Sequence, residues 1–256
     1  MGQKVGKIWL VGGTGESRNI AKAIADDNFH CIVTVTTTNA KTLYPINPKI
    51  AVKIGKLDSA NIYHFCHQEK ILAIVDASHP YAVKISQQVM QIAQQQSIPY
   101  LRYERPFLTH KNQVIELDSF DSLIQGDFLL NKRVLLTVGY QALSLFKQWQ
   151  NKAILYGRIL PRIQSLQVAL KAGFTEERLI ALRPPIKIDL EKALWQQWKI
   201  NLVVSKASGK QGGEYLKAIV AEQLKIPLII IKRPPIVYPQ QTDKISDIIN
   251  FCRQYC

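Results

Sequence analysis

From Lys7 onward, short apolar runs of strand length alternate with amphipathic segments of helix length, and this alternation limits the possible folds more than any other feature. Strands are predicted at 7–12, 31–37, 49–54, 71–76 and 98–102, with helices near 17–27, 58–68 and 80–96. Strands separated by helices cannot close tight hairpins. They lie parallel, with the helices covering both faces of the sheet. A less regular piece follows: Arg102-Tyr103-Glu104-Arg105-Pro106, a short strand at 113–117 and a helix from Ser119. The pattern then restarts at Arg133-Val134-Leu135-Leu136-Thr137-Val138-Gly139, followed by a helix near 140–149. Further strands are predicted at 153–157, 179–182, 201–205 and 227–231, with helices near 162–172, 189–198, 213–225 and 242–254. The polar break near 126–132 is the expected linker, dividing the chain into residues 1–128 and 129–256.

With 47% hydrophobic residues in 256, the chain has enough apolar surface for packed cores. The first apolar run, Ile8-Trp9-Leu10-Val11, is far shorter than a membrane span or a signal peptide core, so no membrane partner is expected. Cys31, Cys66, Cys252 and Cys256 form no C-x-x-C pair, and no histidine neighbours Cys252 and Cys256. They are expected to be reduced thiols of a cytoplasmic protein, with no metal site. The net charge of +14 is unevenly spread: residues 1–128 carry 13 Lys+Arg against 11 Asp+Glu, and residues 129–256 carry 20 against 8. A basic second half implies an anionic partner, whether nucleic acid, acidic membrane or a small molecule bearing several carboxylates or phosphates. The cations are scattered singly rather than in runs, which points away from nucleic acid.

The first strand ends in Val11-Gly12-Gly13-Thr14-Gly15-Glu16-Ser17-Arg18, and a helix begins at once. Glycines allow a tight turn and close approach to a diphosphate, whose charge is met by amides at the helix N-terminus. Gly13 and Gly15 fit the first two glycines of G-x-G-x-x-G, with Arg18 at the third. A tight turn without a ligand is the alternative. Two such strand–turn–helix openings, at Gly12 and again at Gly139, predict an α/β chain of two Rossmann-like parallel-sheet domains facing across a cleft. At the end of the second strand, Val35-Thr36-Thr37-Thr38-Asn39-Ala40-Lys41 lacks the acid that would bind ribose hydroxyls. Hydroxyls and a cation suit a 2′-phosphate, so NADPH is expected over NADH. Threonines also favour strand ends for their own sake.

Asp76-Ala77-Ser78-His79-Pro80-Tyr81-Ala82 gathers polar groups at the carboxyl end of the fourth strand. His79 or Tyr81 is suited to orienting nicotinamide or supplying a proton. Asp76 is equally suited to a structural or helix-capping role, and His79 to a satisfied loop position. In the second half, Ser205-Lys206-Ala207-Ser208-Gly209-Lys210-Gln211-Gly212-Gly213 follows a strand and opens a helix, which makes a second anion-binding turn or else a solvated glycine loop. Arg158-Ile159-Leu160-Pro161-Arg162 and Lys232-Arg233-Pro234-Pro235 place further cations just after strands, where guanidinium groups can grip carboxylates.

These segments, together with Tyr103-Glu104-Arg105-Pro106 and Leu136-Thr137-Val138-Gly139, resemble the precorrin-6A and cobalt-precorrin-6A reductase family of cobalamin biosynthesis, over nearly the whole chain. The resemblance implies a two-domain α/β oxidoreductase that reduces a ring double bond of precorrin-6A, or its cobalt complex, to the 6B form with NADPH. The implied partner is a polycarboxylate corrin-precursor macrocycle, which a basic second domain suits, and a monomer or weak homodimer is expected. On this basis Gly13, Thr14, Gly15, Glu16 and Ser17 are assigned to the cofactor diphosphate, and Thr36 and Thr37 to the adenosine phosphate. Ser78 is placed beside the cofactor, with His79 and Tyr81 as the candidate catalytic pair. Arg105, Arg162, Lys206 and Ser208 are assigned to substrate carboxylates. The metal content of the macrocycle is left open.

Two alternatives share the N-terminal turn. Another NADP-dependent reductase of the short-chain kind needs Tyr-x-x-x-Lys, but Tyr81 is followed at the required spacing by Ile85 and Tyr215 by Ile219. A non-enzymatic dinucleotide-sensing or nucleic-acid-binding protein requires a contiguous basic face and steeply salt-dependent binding.

Overall fold

The computed structural model describes residues 6–109 and 114–256. The chain first builds β1 (Lys7–Val11), α1 (Gly15–Asp26), β2 (Cys31–Val35), α2 (Thr38–Lys41), β3 (Ile50–Ile54), α3 (Ser59–Gln68), β4 (Ile71–Asp76), α4 (Val83–Gln95) and β5 (Tyr100–Tyr103). It continues through β6 (Val114–Leu117), α5 (Phe120–Gln125), β7 (Arg133–Thr137), a 3₁₀ stretch at Tyr140–Trp149, β8 (Ile154–Ile159) and α6 (Ile163–Lys171). Then come β9 (Leu179–Ala181), α7 (Ile188–Gln197), β10 (Leu202–Lys206), α8 (Glu214–Leu224) and β11 (Leu228–Ile231), and finally β12 (Gln241–Thr242) and α9 (Ile245–Tyr255). The expected α/β alternation is present. Residue 113, expected to open β6, lies outside the described residues. The 140–149 segment is 3₁₀ rather than α-helical, and the short α2 and β12 carry no strong periodicity in the sequence.

Two six-stranded sheets result, in the orders β12-β5-β4-β1-β2-β3 and β6-β11-β10-β7-β8-β9, with every strand pair parallel. Because successive side chains of a strand point to opposite faces, each sheet feeds two cores. Ile8 and Leu10 join Ile20, Ile24 and Val33 on one face, while Trp9 and Val11 join Ile62, Phe65 and Val89 on the other. In the second sheet Val134 and Leu136 pack with Phe146, and Leu135 packs with Trp195 and Val220. Each fully buried Leu, Ile or Val side chain contributes about 1.5–3 kcal/mol.

The division into units differs from the expected break at 128/129. One unit runs to Pro106 and regains Pro235–Cys256, while the other is Phe107–Pro234. The last segment returns because it has partners in the first sheet. The Arg102 amide donates to Gln240 O at 2.9 Å, and the Glu104 amide donates to Thr242 O at 2.8 Å. Ile248, Phe251 and Cys252 of α9 bury their apolar face in the core that holds Ile20 and Ile24. Arg253 Nε donates to Asp27 Oδ2 at 2.9 Å beside them. The charge contrast shrinks accordingly, to 14 Lys+Arg against 9 Asp+Glu in the first unit and 19 against 10 in the second. No helix among the described residues is long and apolar enough to cross a membrane.

Candidate active site

In the first sheet the strand order reverses between β1 and β4. Ligands of open α/β sheets bind beyond the carboxyl ends of the strands at such a reversal. The turns that follow these two strands are the glycine turn and the Ala77–Ala82 loop, and Thr14 Oγ1 donates to Ala77 O at 3.1 Å across the gap.

The turn is organised in a different frame from the one expected. Gly12 follows β1 directly and is hemmed in, since a Cβ there would approach Tyr44 Oη to 2.3 Å and Val33 Cγ1 to 2.7 Å. Thr14 is the N-cap of α1, and Ser17, fully buried, faces inward at the position where the fingerprint carries its third glycine. Gly12, Thr14 and Ser17 therefore occupy the three key positions. Arg18 is exposed and leaves helix–strand contact undisturbed. Thr14 and Ser17 form a capping box, with Ser17 N donating to Thr14 Oγ1 at 3.1 Å and Thr14 N donating to Ser17 Oγ at 3.0 Å. Glu16 is buried against Arg105, with Arg105 Nε 2.5 Å from Oε1 and Nη2 3.0 Å from Oε2. The side chains of Thr14, Glu16 and Ser17 are thus engaged within the protein.

Gly13 (φ +103°) and Gly15 are open instead: a Cβ on either would meet no atom of the described residues within 4 Å. The Gly15 and Glu16 amides lie in the first helical turn, where no intrahelical carbonyl can reach them. An open glycine surface beside the two uncapped amides of the helix N-terminus fits the diphosphate of a nicotinamide dinucleotide.

The loop after β4 rests on a buried polar network. Asp76, with 0% exposure, accepts from Ser78 N at 2.9 Å, Ser86 Oγ at 2.6 Å, Tyr100 Oη at 2.8 Å and Arg102 Nη1 at 3.0 Å. Arg102 Nη1 also donates to Ser78 Oγ at 3.0 Å, Nε donates to Glu104 Oε2 at 2.8 Å, and the guanidinium stands 5.2 Å from the Tyr238 ring centre. Burial opposes the Arg102 charge, but Asp76 and Glu104 outweigh it and raise its pKa. Burial, and then the Asp76 charge, push the Tyr100 phenol far up, so it stays a donor. Asp76 and Ser78 therefore shape the loop from inside. His79 is exposed at its tip, and its Nδ1 accepts from Tyr81 N at 3.2 Å, which puts the neutral ring's proton on Nε2. The His79 and Tyr81 rings stand 5.8 Å apart.

Beyond β2, Thr36 is exposed, whereas Thr37 caps α2 by accepting from Ala40 N at 3.2 Å. Of Thr36 and Thr37, it is Thr36 that keeps its hydroxyl clear of that cap.

The second sheet reverses between β7 and β10. The turns there contain Gly139 (φ +81°) and the Lys206–Gly213 segment, and a Cβ on Gly139 would stand 4.0 Å from Lys206 Nζ. Lys206 Nζ is 5.6 Å from the Phe120 ring centre, and burial pulls its ammonium down to about 8. Ser208 is buried, and its amide donates to Lys206 O at 2.7 Å. The Gly209 amide donates to Glu214 Oε2 at 2.6 Å, and Lys217 Nζ donates to Gly213 O at 3.0 Å, so α8 holds the turn from beneath. Burial, helped by Arg158, brings Lys217 down to about 7 against the opposing Glu191 and Glu214. Arg158 pairs with Glu191, whose Oε1 accepts from Trp195 Nε1 at 3.0 Å. Arg162 caps α6 by its backbone only, and its Nε is buried without a hydrogen-bond partner among the described residues.

Sequence reasoning passed over Tyr44, Arg102, Glu214 and Lys217. A buried acid ending β4 calls for a cation, and Arg102, its register partner on β5, was the candidate at hand. Nothing local marks Lys217 for burial. Cys31, Cys66 and Cys252 are buried free thiols, with burial pushing Cys66 up to about 11 and Cys252 up to about 12.

The family model described as "Precorrin-6x reductase CbiJ/CobK" matches residues 7–253. A cobalt-precorrin-6A reductase of Synechocystis sp. is 48% identical over 251 residues, covering 97% of this chain and 96% of that protein. A precorrin-6A reductase of Rhodococcus erythropolis is 30% identical over 249 residues, covering 94% of each. A solved structure described as "CobK precorrin-6A reductase" superposes with a TM-score of 0.83 at 20% identity, covering 98% of both chains, and so shares the fold. These similarities replace the short-chain reductase and non-enzymatic alternatives, and the chain belongs to the precorrin-6x reductase family of oxidoreductases that use a reduced nicotinamide cofactor on a ring carbon–carbon double bond.

Proposed function

We propose that this chain reduces a ring double bond of cobalt-precorrin-6A, with NADPH as its cofactor. The observation that carries the reading is the open Gly13–Gly15 surface at the start of α1, at the strand-order reversal of the first sheet. The cobalt form is favoured by the name of the Synechocystis sp. relative at 48% identity. NADPH is favoured by the acid-free end of β2, where Thr36 is exposed and Lys41 lies five residues on.

When bound, the nicotinamide supplies a hydride. The Gly15 and Glu16 amides meet the diphosphate, and Thr36 meets the 2′-phosphate. Arg105 acts through Glu16, holding the first turn of α1 in place, and Thr14, Ser17 and Ser78 act likewise by shaping the two turns. His79 presents Nε2–H at the loop tip, with Tyr81 beside it, as the group able to hold or deliver a proton. In the second unit, Lys206, Ser208 and Arg162 receive substrate carboxylates. The Arg162 Nε, without a partner among the described residues, supports that role, because an unpaired buried donor costs about 1–3 kcal/mol until a partner arrives.

Titration of the purified protein with NADPH and NADH tests the cofactor, and tighter NADPH binding is expected. NADPH oxidation is then followed with cobalt-containing and metal-free macrocycles. Absence of NADPH binding overturns the reading, and turnover of the metal-free ring alone overturns the cobalt assignment.

A further inference from the structure

We propose that Tyr44 is a positioning residue of the cofactor turn, holding the Gly13 peptide so that the first turn of α1 faces a diphosphate. The inference rests on the cofactor reading above. Tyr44 lies in the loop after α2 and is only 7% exposed. Its hydroxyl accepts from Gly13 N at 2.8 Å and lies 2.6 Å from Ser17 Oγ. Ser17 Oγ donates its one proton to Thr14 O at 2.8 Å, so the proton between the two hydroxyls belongs to Tyr44. A directed chain results, from the Gly13 amide to Tyr44, from Tyr44 to Ser17 and from Ser17 to the Thr14 carbonyl.

Each end of this chain bears on the turn. Gly13 stands at φ +103°, with its amide held by the Tyr44 hydroxyl, and Thr14 and Ser17 form the cap of α1. Gly12 lacks a side chain where a Cβ would come within 2.3 Å of the Tyr44 hydroxyl, so the tight turn and the tyrosine fit each other. The Tyr44 amide donates to Lys41 O at 3.2 Å, which ties the same residue to the segment proposed for the 2′-phosphate. Burial raises the Tyr44 pKa, so the phenol remains a donor as the chain requires. Since Tyr44 takes the Gly13 amide and Ser17 Oγ takes the Thr14 amide, the amides left for the diphosphate are those of Gly15 and Glu16.

The test compares wild type with Tyr44→Phe for binding of NADPH, ADP and 2′-AMP, by protein fluorescence and competition, with circular dichroism as a check of folding. Loss of one bond to a backbone amide should weaken NADPH and ADP by about 5- to 10-fold. Binding of 2′-AMP, which has no diphosphate, should stay within about twofold. Equal loss for all three ligands, or no loss for the diphosphates, overturns the inference while leaving the cofactor reading intact. A wild type that binds neither NADPH nor ADP overturns both. Should Tyr44→Phe not fold, Ser17→Ala, which removes the acceptor of the tyrosine proton, must show the same selectivity for diphosphates, and its failure to do so overturns the inference.

Discussion

Arg102 donates from Nη1 to Asp76 Oδ1 at 3.0 Å, with the two side chains 1% and 0% exposed, and joins the ends of neighbouring strands β4 and β5. This pair supports the loop that presents His79. Removing one partner strands the other charge out of water. Arg102→Met should lower unfolding stability by about 3–5 kcal/mol, measured by urea denaturation at pH 7. A loss below about 1 kcal/mol would show that the network is not structural.

Gly15 offers a separation of folding from binding. A Cβ there meets no atom of the described residues within 4 Å, so Gly15→Val should change stability by no more than about 1 kcal/mol. It should nevertheless weaken NADPH at least about tenfold by filling the space beside the α1 N-terminus. Unchanged affinity would place the diphosphate elsewhere.

Thr36 and Thr37 should behave differently. Thr36→Ala is expected to weaken NADPH and leave NADH unaffected, while Thr37→Ala removes the α2 cap and lowers stability by about 1 kcal/mol. Dissociation constants for both dinucleotides decide the first. An equal loss for NADH rejects the assignment of Thr36 to the 2′-phosphate.

Burial holds the Lys206 pKa at about 8, so the side chain is a cation below that pH and neutral above it. If it grips a substrate carboxylate, kcat/KM for the macrocycle should fall as pH rises through about 8, since this ratio follows the free enzyme. Lys206→Arg, charged throughout, should move that fall to higher pH. A profile identical in both proteins would assign the fall to another group.

Lys217 reports on stability instead. Its folded-state pKa, about 7, lies below the unfolded value near 10.5. The unfolded chain therefore binds more protons between these values, and stability rises with pH across the interval. Lys217→Met should remove that contribution, so wild type gains relative to the variant between pH 6 and pH 9 in urea denaturation. No pH dependence in the difference would show that Lys217 stays charged.

The sites were legible to unequal depth. The glycine turn, the Asp76–Tyr81 loop and the Lys206–Gly213 turn could be located because strand–turn–helix order puts them at carboxyl ends of strands. Which atoms remain for a ligand could not be read, because that depends on what else reaches the same atoms. Arg105 meets Glu16 across 89 residues, and Tyr44 meets Gly13 across 31. The fingerprint frame was misplaced for the same reason: counting glycines favoured Gly13 and Gly15, whereas inward packing selects Gly12 and Ser17.

The alternation of apolar strands and amphipathic helices was enough to require parallel sheets, since helix-length crossovers forbid hairpins and each strand must bury both faces. The basic turns likewise led, from charge alone, to the expectation of an anionic ligand. The tertiary structure decided where the units divide. Gln241 and Thr242 are polar and just two residues long as a strand, yet they pair with Arg102 and Tyr103 and bring α9 back onto the first core. Edge pairing of so short a strand is set by backbone groups, which leave no mark in local sequence, and the helix legible near 242–254 does not by itself declare which core it packs on.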